Sequence, residues 1–398
     1  MPAASCQSEP GGRPPGARCG RELTALGQAS LYLFMSRGSS LGDWERSGTL
    51  ERETALYRAL LAHLGRVSLV TYGRRDRGYL PRLGGLGVID NRLGLPLPLY
   101  CRWLALGRGL RRGRPGVVKT NQMQGADTAL KAARRAGHAF LARCGYLPSN
   151  IALWRHGPGA PQAAEFLRLE REVFRAADLV AVTTPAMAAT VAERYGVDAG
   201  RVRVVPNFVD TELFRPQEGP QTPAREDDLL LYVGRLHQEK NLLALIEALK
   251  GLPYRLQLAG DGPHQAELER AARDFGARAE FLGRVDNAEL PRLLARAGAF
   301  VLPSKGEHHP KALLEAMSAG VAVLGTAVPG IVELIDHGRT GWLCPPEAAG
   351  IRAGLEALMP DAGLRSGLGR AARRFVLENF AFQRVLDLEL ALLAELAG

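Results

Sequence analysis

The chain has 398 residues, 46% of them hydrophobic and 23% charged, an ordinary globular composition that is long enough for two domains. No apolar run approaches the roughly 18–20 residues of a membrane-spanning helix. The five cysteines are scattered without a C-x-x-C pair, which argues against a zinc ribbon or a disulfide framework and favours a reducing compartment.

The net charge of +10 is unevenly distributed along the chain. Residues 1–222 carry +13 and residues 223–398 carry −3. This asymmetry indicates an anionic partner for the first half, although a generally arginine-rich composition explains it equally well. The excess is nearly all arginine, without aromatic residues interleaved in a basic motif, so a nucleic-acid partner is not expected.

The first 28 residues are rich in Gly, Pro, Ala and Arg and contain no apolar core of a signal peptide. We therefore predict a disordered tail over residues 1–28. A start codon assigned too far upstream would leave the same composition.

An apolar strand, Ser30–Ser36, opens the first predicted domain and leads into a small-residue loop around Gly38. A helix over Leu50–Leu64 and a strand over Val67–Tyr72 follow. A strand, a loop of small residues and a helix are typical of the start of a nucleotide-binding α/β domain. The loop at Gly38 could approach a phosphate or an acceptor, or it could be a plain tight turn.

The segment Leu95–Arg114 combines bulky apolar residues with arginines and allows two interpretations. On a membrane surface it would bury Trp103 and its leucines while the arginines meet anionic headgroups. Packed on the domain, it would be an ordinary helix with a solvated basic end.

Two further strands, Val117–Asn121 and His138–Arg143, are predicted on either side of a helix over Asp127–Ala136. The carboxyl ends of parallel strands open on the ligand-binding crevice of such a domain. Residues at these ends are therefore candidates to contact an acceptor or a sugar. They are Thr120, Asn121, Gln122, Arg143 and Tyr146.

The rest of the first half predicts a helix over Glu165–Ala177, a strand over Leu179–Thr184 and a closing segment over Val202–Phe214. The stretch Pro216–Asp228 is rich in Pro, Gly and charged residues and has no periodicity. We predict an interdomain linker there.

The second half opens with a buried-type strand, Leu229–Val233, followed by Gly234 and Arg235. Lys240 stands at the head of a helix predicted over Asn241–Leu249. Two long cations near one helix start repel each other unless an anion lies between them, and a diphosphate would fit. The alternative is a pair of exposed loop cations.

The stretch Ala299–Glu315 combines a short apolar strand, a polar loop and a helix that begins near Pro310. A loop that enters a helix directs unpaired N–H groups and the positive helix end to one point, which favours an anion. Glu307 in the loop and Glu315 in the helix lie at the two ends of this arrangement. Two carboxylates flanking an anion site suggest a ligand with phosphate in the middle and hydroxyls at both ends, as in a nucleotide-sugar. The alternative is a solvated helix face.

This stretch resembles the signature of the family 4 glycosyltransferases, retaining enzymes of the GT-B fold. The matching residues are Ser304, Glu307, Pro310, Glu315, Ala316, Met317 and Gly320. Gly234-Arg235 followed by Lys240 is similar to the family's phosphate-binding motif, and the run from Glu170 to Phe214 is similar to the end of its first domain. The sequence departs from the pattern at His308, where glycine is usual, and at Arg143, close to where many members carry a histidine.

The resemblance implies an α/β protein of the GT-B fold with two Rossmann-like domains that face a central cleft. Residues 29–222 would form the acceptor-binding domain and residues 223–379 the nucleotide-sugar-binding domain. The helix within 380–398 would cross back onto the first domain.

The resemblance also implies roles for single residues. Arg235 and Lys240 would bind the donor diphosphate and stabilise its departing charge, and with Glu307 at the transferred sugar they form the expected catalytic set. Glu315 would accept hydrogen bonds from the ribose. Further donor contacts are expected from Gly234, Gly260, Gly306, His308, His309, Pro310 and Leu314. The acceptor side would include Gly38, Asn121, Gln122, Arg143 and Tyr146.

The implied activity is a retaining hexosyltransferase that moves a sugar from a nucleotide-sugar to a glycan, lipid-linked or small-molecule acceptor. The sequence has no Asp-x-Asp or His-Glu-x-x-His motif, so we expect no metal and no cofactor, only the nucleotide-diphosphate sugar as co-substrate. We expect a cytoplasmic protein of polysaccharide biosynthesis. Peripheral contact with the inner face of the plasma membrane through Leu95–Arg114 is a further expectation.

Two other functions are open on the same fold. A nucleotide-sugar epimerase or a sugar phosphorylase would turn over donor without acceptor or would require free phosphate. A non-catalytic nucleotide-sugar-binding paralogue is suggested by the missing family histidine and by His308. It would bind donor without turnover.

Overall fold

The computed structural model describes residues 26–217, 219 and 223–397. The tail predicted over residues 1–28 lies outside the described residues except at its last three positions. Leu26 is buried in the core of the first domain, and its carbonyl accepts a hydrogen bond from the backbone N–H of Ala29. Leu26 therefore packs with the first domain, whereas Gly27 and Gln28 are exposed.

Seven parallel strands form the sheet of the first domain, in the spatial order β3-β2-β1-β4-β5-β6-β7. They are β1 Ser30–Phe34, β2 Arg66–Val70, β3 Gly87–Ile89, β4 Gly116–Thr120, β5 Ala139–Cys144, β6 Leu179–Val182 and β7 Val202–Val204. The central strand β1 is buried at every residue because helices cover both faces of the sheet, which explains its nearly continuous apolar sequence. The strand order reverses between β1 and β4, where a crevice opens in doubly wound sheets.

Seven α-helices from the first half of the chain surround this sheet in the described residues. They are α1 Leu41–Arg46, α2 Leu50–Leu61, α3 Leu97–Ala105, α4 Ala126–Ala136, α5 Pro148–His156, α6 Pro161–Ala176 and α7 Pro185–Tyr195. The last three begin with proline, which suits the first helical position because its missing N–H has no intrahelical partner there.

Six parallel strands form the sheet of the second domain, in the order β10-β9-β8-β11-β12-β13. They are β8 Glu226–Val233, β9 Arg255–Ala259, β10 Arg278–Gly283, β11 Ala297–Leu302, β12 Val323–Thr326 and β13 Trp342–Cys344. The helices of this half are α8 Leu242–Ala248, α9 Gln265–Phe275, α10 Leu290–Arg296, α11 Lys311–Ser318, α12 Ala348–Leu358 and α13 Ala362–Asn379. The predicted fold class, two Rossmann-like domains facing a central cleft, is confirmed.

Strand β8 begins inside the stretch that the sequence predicts to be a linker. Its first residues are charged, and they pair with an arginine on the neighbouring strand. Arg255 Nη2 lies 2.6 Å from Glu226 Oε2, and Arg255 Nε lies 2.8 Å from Asp228 Oδ2. Because ion pairs rather than apolar side chains hold this end of the strand, hydrophobic periodicity does not reveal it.

Lys240 does not stand at the head of an α-helix, as the sequence predicts, but ends a short 3₁₀ helix, Gln238–Lys240. Asn241 separates this turn from α8 and adopts a left-handed conformation with φ of 56°, which asparagine tolerates better than most residues. Its side-chain amide donates to the carbonyls of Pro303 (3.0 Å) and Pro346 (2.8 Å), which fixes the turn that carries Lys240.

The segment Leu95–Arg114 folds in part as helix α3, which packs on the domain through Tyr100 and Leu104. Its other face is open to solvent: Leu97 and Leu99 are 43% and 50% exposed. Across the described residues, no helix combines the length and apolarity that crossing a bilayer requires.

The last helix, α14 Phe382–Ala397, crosses back to the first domain as expected. Its buried residues Val385, Leu386, Leu392 and Leu393 belong to the same core cluster as Leu31 of β1. A buried ion pair reinforces this contact, because Lys119 Nζ of β4 lies 2.6 Å from Glu389 Oε1.

Lys119 is fully buried, and its ammonium also lies 5.4 Å from the centre of the Tyr57 ring. Burial lowers the pKa of Lys119, whereas Glu389 favours its charged form. A charge in such a place depends on its partner, because removing one member of a buried pair leaves the other without compensation.

We expect Glu389→Ala to lower the free energy of unfolding by about 3–5 kcal/mol, since it strands the Lys119 ammonium in the core. Urea unfolding followed by tryptophan fluorescence measures this, because three of the four tryptophans (Trp44, Trp103 and Trp154) lie in the first domain. The double variant Lys119→Met, Glu389→Leu removes both charges and should be much closer to the wild type. Equal losses in the single and double variants would contradict this account.

Candidate active site

A cavity of about 920 Å³ lies in the cleft between the two domains, and both domains contribute to its walls. Ten of the residues predicted from the sequence line it: Asn121, Gln122, Arg143, Tyr146, Arg235, Lys240, Gly306, Glu307, His308 and His309. Seven others do not line it: Gly38, Thr120, Gly234, Gly260, Pro310, Leu314 and Glu315. The fold thus brings together candidates from both halves of the chain.

Glu307 is held in place by two neighbours in the second domain. The Lys240 ammonium contacts Glu307 Oε1, and the Ser304 hydroxyl donates to the same oxygen at 2.7 Å. Both Lys240 and Glu307 are mostly buried. The cation predicted to bind phosphate therefore forms an ion pair with the carboxylate predicted to face the sugar.

The loop that carries Glu307 is braced by the loop after β12. The Glu307 N–H donates to the Pro329 carbonyl at 3.2 Å. Gly330 has φ of 81°, and a Cβ there would lie 2.3 Å from the Glu307 carbonyl oxygen. Only glycine fits at this position, so Gly330 allows the close approach of these two loops.

Glu315 is buried on α11, outside the cavity, and its neighbours were not predicted from the sequence. Its Oε1 lies 3.4 Å from Arg52 Nη1 of the first domain and 3.5 Å from Asn287 Nδ2. The two carboxylates of the signature therefore face different surroundings: Glu307 faces the cleft, and Glu315 faces an arginine from the opposite domain.

The other predicted residues outside the cavity contribute mainly to loop conformation or to core packing. Gly234 and Gly260 lie at adjoining strand ends, where a Cβ on Gly260 would lie 1.9 Å from the Gly234 carbonyl oxygen. Leu314 is fully buried, and Pro310 precedes the first residue of α11. Gly38 lies in the loop after β1.

Arg143 ends the fifth strand of the first domain and faces the cleft. Its guanidinium donates to the Asn121 carbonyl (3.3 Å) and to Asn207 Oδ1 (3.0 Å). Asn207 in turn donates through its amide to the His309 carbonyl at 2.9 Å, which links this wall to the loop of the second domain. Thr120, another candidate, accepts a hydrogen bond from the Arg143 N–H and so positions the strand end.

A second ion pair crosses the cleft. Lys311 Nζ, in the first turn of α11, lies 2.7 Å from Glu53 Oε1 of α2. Burial disfavours the Glu53 carboxylate, but Lys311 and Arg52 more than offset that cost and lower the pKa of Glu53 to about 2. The Glu53 carboxylate is therefore ionised at neutral pH, and its contact with Lys311 joins the two domains.

The two histidines of the loop are neutral at pH 7. Burial, with Arg143 and Lys311 nearby, lowers the pKa of His309 to about 4. Burial also lowers the pKa of His308, whose ring lies 5.8 Å from that of Tyr146. Both can serve as neutral hydrogen-bonding groups at the cleft.

Several cleft residues were missed by the sequence interpretation. Arg52 and Glu53 lie on a helix whose sequence pattern indicates only packing. Asn207 stands out in the sequence only because it falls in the segment that resembles the end of the family's first domain. An aromatic set also lines the first-domain side: Trp44, Tyr57, Trp154, Phe166 and Phe208. These residues come from separate elements, so no local spacing connects them.

Within the part of the chain that the structure describes, no group of three His, Cys, Asp or Glu side chains could hold a metal ion. The charged groups at the cleft are instead lysines, arginines and their carboxylate partners.

Two models of known protein families match the chain. The model of "Glycosyltransferase Family 4" matches residues 54–213, and that of "Glycosyl transferases group 1" matches residues 215–375. The chain belongs to the family 4 glycosyltransferases. Each model covers one of the two domains, and together they span most of the chain.

Individual relatives agree with this assignment. A glycogen synthase of Mycobacterium tuberculosis is 32% identical over 230 residues, which cover 54% of each chain. The chain spans about half the length of the curated relatives that it matches. Among solved structures, sucrose-phosphate synthase of Thermosynechococcus elongatus has a TM-score of 0.75 at 21% identity, covering 92% of this chain and 99% of the other. Anabaena HepE, solved in complex with UDP-glucose, has a TM-score of 0.72 at 17% identity, covering 92% and 100%.

Proposed function

We propose that this glycosyltransferase moves a hexosyl group from a nucleotide-diphosphate sugar to a glycan, lipid-linked or small-molecule hydroxyl with retention of configuration. The observation that carries the proposal is the convergence of Arg235, Lys240 and Glu307 on one cleft opposite a polar first-domain wall. In the reaction, the bond between the anomeric carbon and the diphosphate breaks. The acceptor oxygen bonds to that carbon, and its proton leaves with the nucleoside diphosphate.

Arg235 and Lys240 are proposed to bind the diphosphate and to stabilise its charge as it departs. Arg235 is exposed in the cleft and has no carboxylate within ion-pair distance among the described residues. Lys240 contacts Glu307, so a phosphate that reaches Lys240 would release Glu307 toward the sugar. The N-terminus of α11 adds positive potential, so the proposed reaction uses neither a metal nor a cofactor.

The donor loop is proposed to bind the transferred sugar through Glu307 and the backbone of residues 306–309. Gly306, His308 and His309 line the same cavity, and both histidines are neutral donors or acceptors at pH 7. Because Anabaena HepE was solved with UDP-glucose, UDP-sugars are the first donors to test.

The experiment is a panel of nucleotide-sugars tested for thermal stabilisation and for nucleoside diphosphate release with and without acceptor extract. We expect one donor to stabilise the protein and to turn over, and Lys240→Ala to lower turnover about a hundredfold, since it removes a cation from the leaving group. Lys131→Ala, an exposed lysine outside the cleft, is the matched control and should leave turnover unchanged.

Other outcomes of this panel point to other functions. Full turnover in Lys240→Ala would contradict the proposal that Lys240 binds the donor diphosphate. Donor conversion without acceptor would indicate an epimerase, a requirement for free phosphate would indicate a phosphorylase, and binding without any turnover would indicate a non-catalytic protein.

Glu315 is proposed to accept hydrogen bonds from the donor ribose, in the place that Arg52 occupies in this structure. Glu315→Ala should then weaken UDP binding by about 1–3 kcal/mol, measured by calorimetry. Arg52→Ala should leave UDP affinity unchanged or increase it, because the ribose no longer displaces a partner. If Arg52→Ala weakens UDP binding as much as Glu315→Ala does, the two residues act together in closing the domains and the ribose role fails.

We also propose a cytoplasmic enzyme of polysaccharide biosynthesis that touches anionic membranes through α3. Leu97, Leu99 and Leu106 are 43–50% exposed next to exposed arginines such as Arg102. Such a surface combines apolar insertion with attraction to anionic lipids.

We expect the protein to cosediment with vesicles that contain phosphatidylserine, and less with neutral vesicles. The variant Leu97→Gln, Leu99→Gln should lose this binding, whereas Leu243→Gln, at an exposed leucine of the second domain, should keep it. Equal cosedimentation of both variants would exclude α3 as the contact.

A further inference from the structure

The cations that line the cleft differ in whether a carboxylate neutralises them. Four are paired within the described residues: Lys119 with Glu389, Arg155 with Glu239, Lys240 with Glu307 and Lys311 with Glu53. Three have no carboxylate within 4 Å there, namely Arg143, Arg235 and Lys305. Arg235 and Lys305 are exposed to water, whereas Arg143 is half-buried.

Arg143 has unused hydrogen-bonding capacity. A guanidinium carries five N–H groups, and the side chain of Arg143 makes two hydrogen bonds in the described structure, both to neutral oxygens of Asn121 and Asn207. Partial burial removes some of the hydration of this cation, and its hydrogen bonds go to neutral groups rather than to a carboxylate. A ligand anion would supply the missing partner.

A second donor, the Gln122 side chain, lies beside Arg143 on the same wall of the cleft. The Gln122 side chain accepts from the Gly145 N–H at 2.9 Å through Oε1, and its Nε2 has no hydrogen-bond partner among the described residues. A Cβ placed on Gly145 would lie 2.9 Å from Gln122 Nε2 and 3.2 Å from Arg143 Nη1. Both donors therefore lie close to Gly145, and because residue 145 is glycine, no side chain separates them.

We infer that Arg143 and Gln122 form an anion subsite, and that one sugar substrate of this enzyme carries a carboxylate or a phosphate that binds there. The inference rests on the proposed glycosyl transfer and adds a substrate class to it. Asn207 connects Arg143 to the His309 carbonyl, so the subsite adjoins both the loop proposed to hold the transferred sugar and the acceptor wall. The anion therefore belongs either to the transferred sugar or to the acceptor.

Two binding experiments by calorimetry separate these sources. In the donor experiment, UDP-glucuronate is compared with UDP-glucose. In the acceptor experiment, glucose 6-phosphate and glucuronate are compared with glucose while UDP saturates the nucleotide site. We expect the anionic member to bind about tenfold more tightly in one of the two experiments, the usual gain of a charged hydrogen bond.

Variants assign this preference to the subsite. Arg143→Gln should abolish the preference and leave UDP affinity unchanged, and Arg143→Lys should retain part of it, because lysine keeps the charge but not the planar fork. Gly145→Ala should also reduce it, because the added methyl group would lie 2.9 Å from Gln122 Nε2 and so displaces the Gln122 side chain. Arg155→Gln removes the same charge from the same cleft and should keep the preference.

Three results would overturn the inference. They are equal binding of anionic and neutral sugars in both experiments, a preference that survives Arg143→Gln, and a loss of UDP affinity in Arg143→Gln, which would place Arg143 at the diphosphate. Failure of the proposed function is a separate result. An anion preference that depends on Arg143, without sugar transfer from any donor, would support the subsite and contradict the proposed transferase activity.

Discussion

The buried ion pair between Lys119 and Glu389 joins the last helix of the chain to a central strand of the first domain. The helix therefore folds with the first domain although it follows the second domain in sequence. As a result, the chain passes between the domains twice, once between β7 and β8 and again near Phe380. The catalytic candidates Arg235, Lys240 and Glu307 line the cleft from the second domain, opposite acceptor-side candidates such as Arg143 and Gln122 of the first domain.

Charge compensation governs the interior of this cleft. Glu53 with Lys311 and Glu315 with Arg52 both join the two domains, while Glu307 with Lys240 lies within one domain. In the proposed reaction, a diphosphate competes with Glu307 for Lys240, and a ribose competes with Arg52 for Glu315. Substrate binding would thus exchange ion pairs inside the protein for contacts with the donor, which links occupancy of the site to the relative position of the domains.

Much of the fold was predictable from local patterns, for a physical reason. Parallel strands that are covered on both faces, such as Ser30–Phe34 and Ala297–Leu302, read as apolar runs because every side chain is buried. Elements stabilised by other means were missed or misplaced. The start of the strand at Glu226 depends on ion pairs with Arg255, and the turn at Lys240 depends on an asparagine whose amide binds two distant carbonyls.

The sequence by itself determined the candidates that a local motif can specify: the spacing of Arg235 and Lys240, the loop with Glu307, and the helix with Glu315. Only the tertiary structure decided that Glu307 faces the cleft while Glu315 meets Arg52, and that Arg143, Gln122 and Gly145 lie together on one wall of the cleft. The reason is that each of these relations joins different strands, helices or domains. Local spacing constrains neighbours along one element, whereas the direction of a side chain across a cleft depends on how both domains pack.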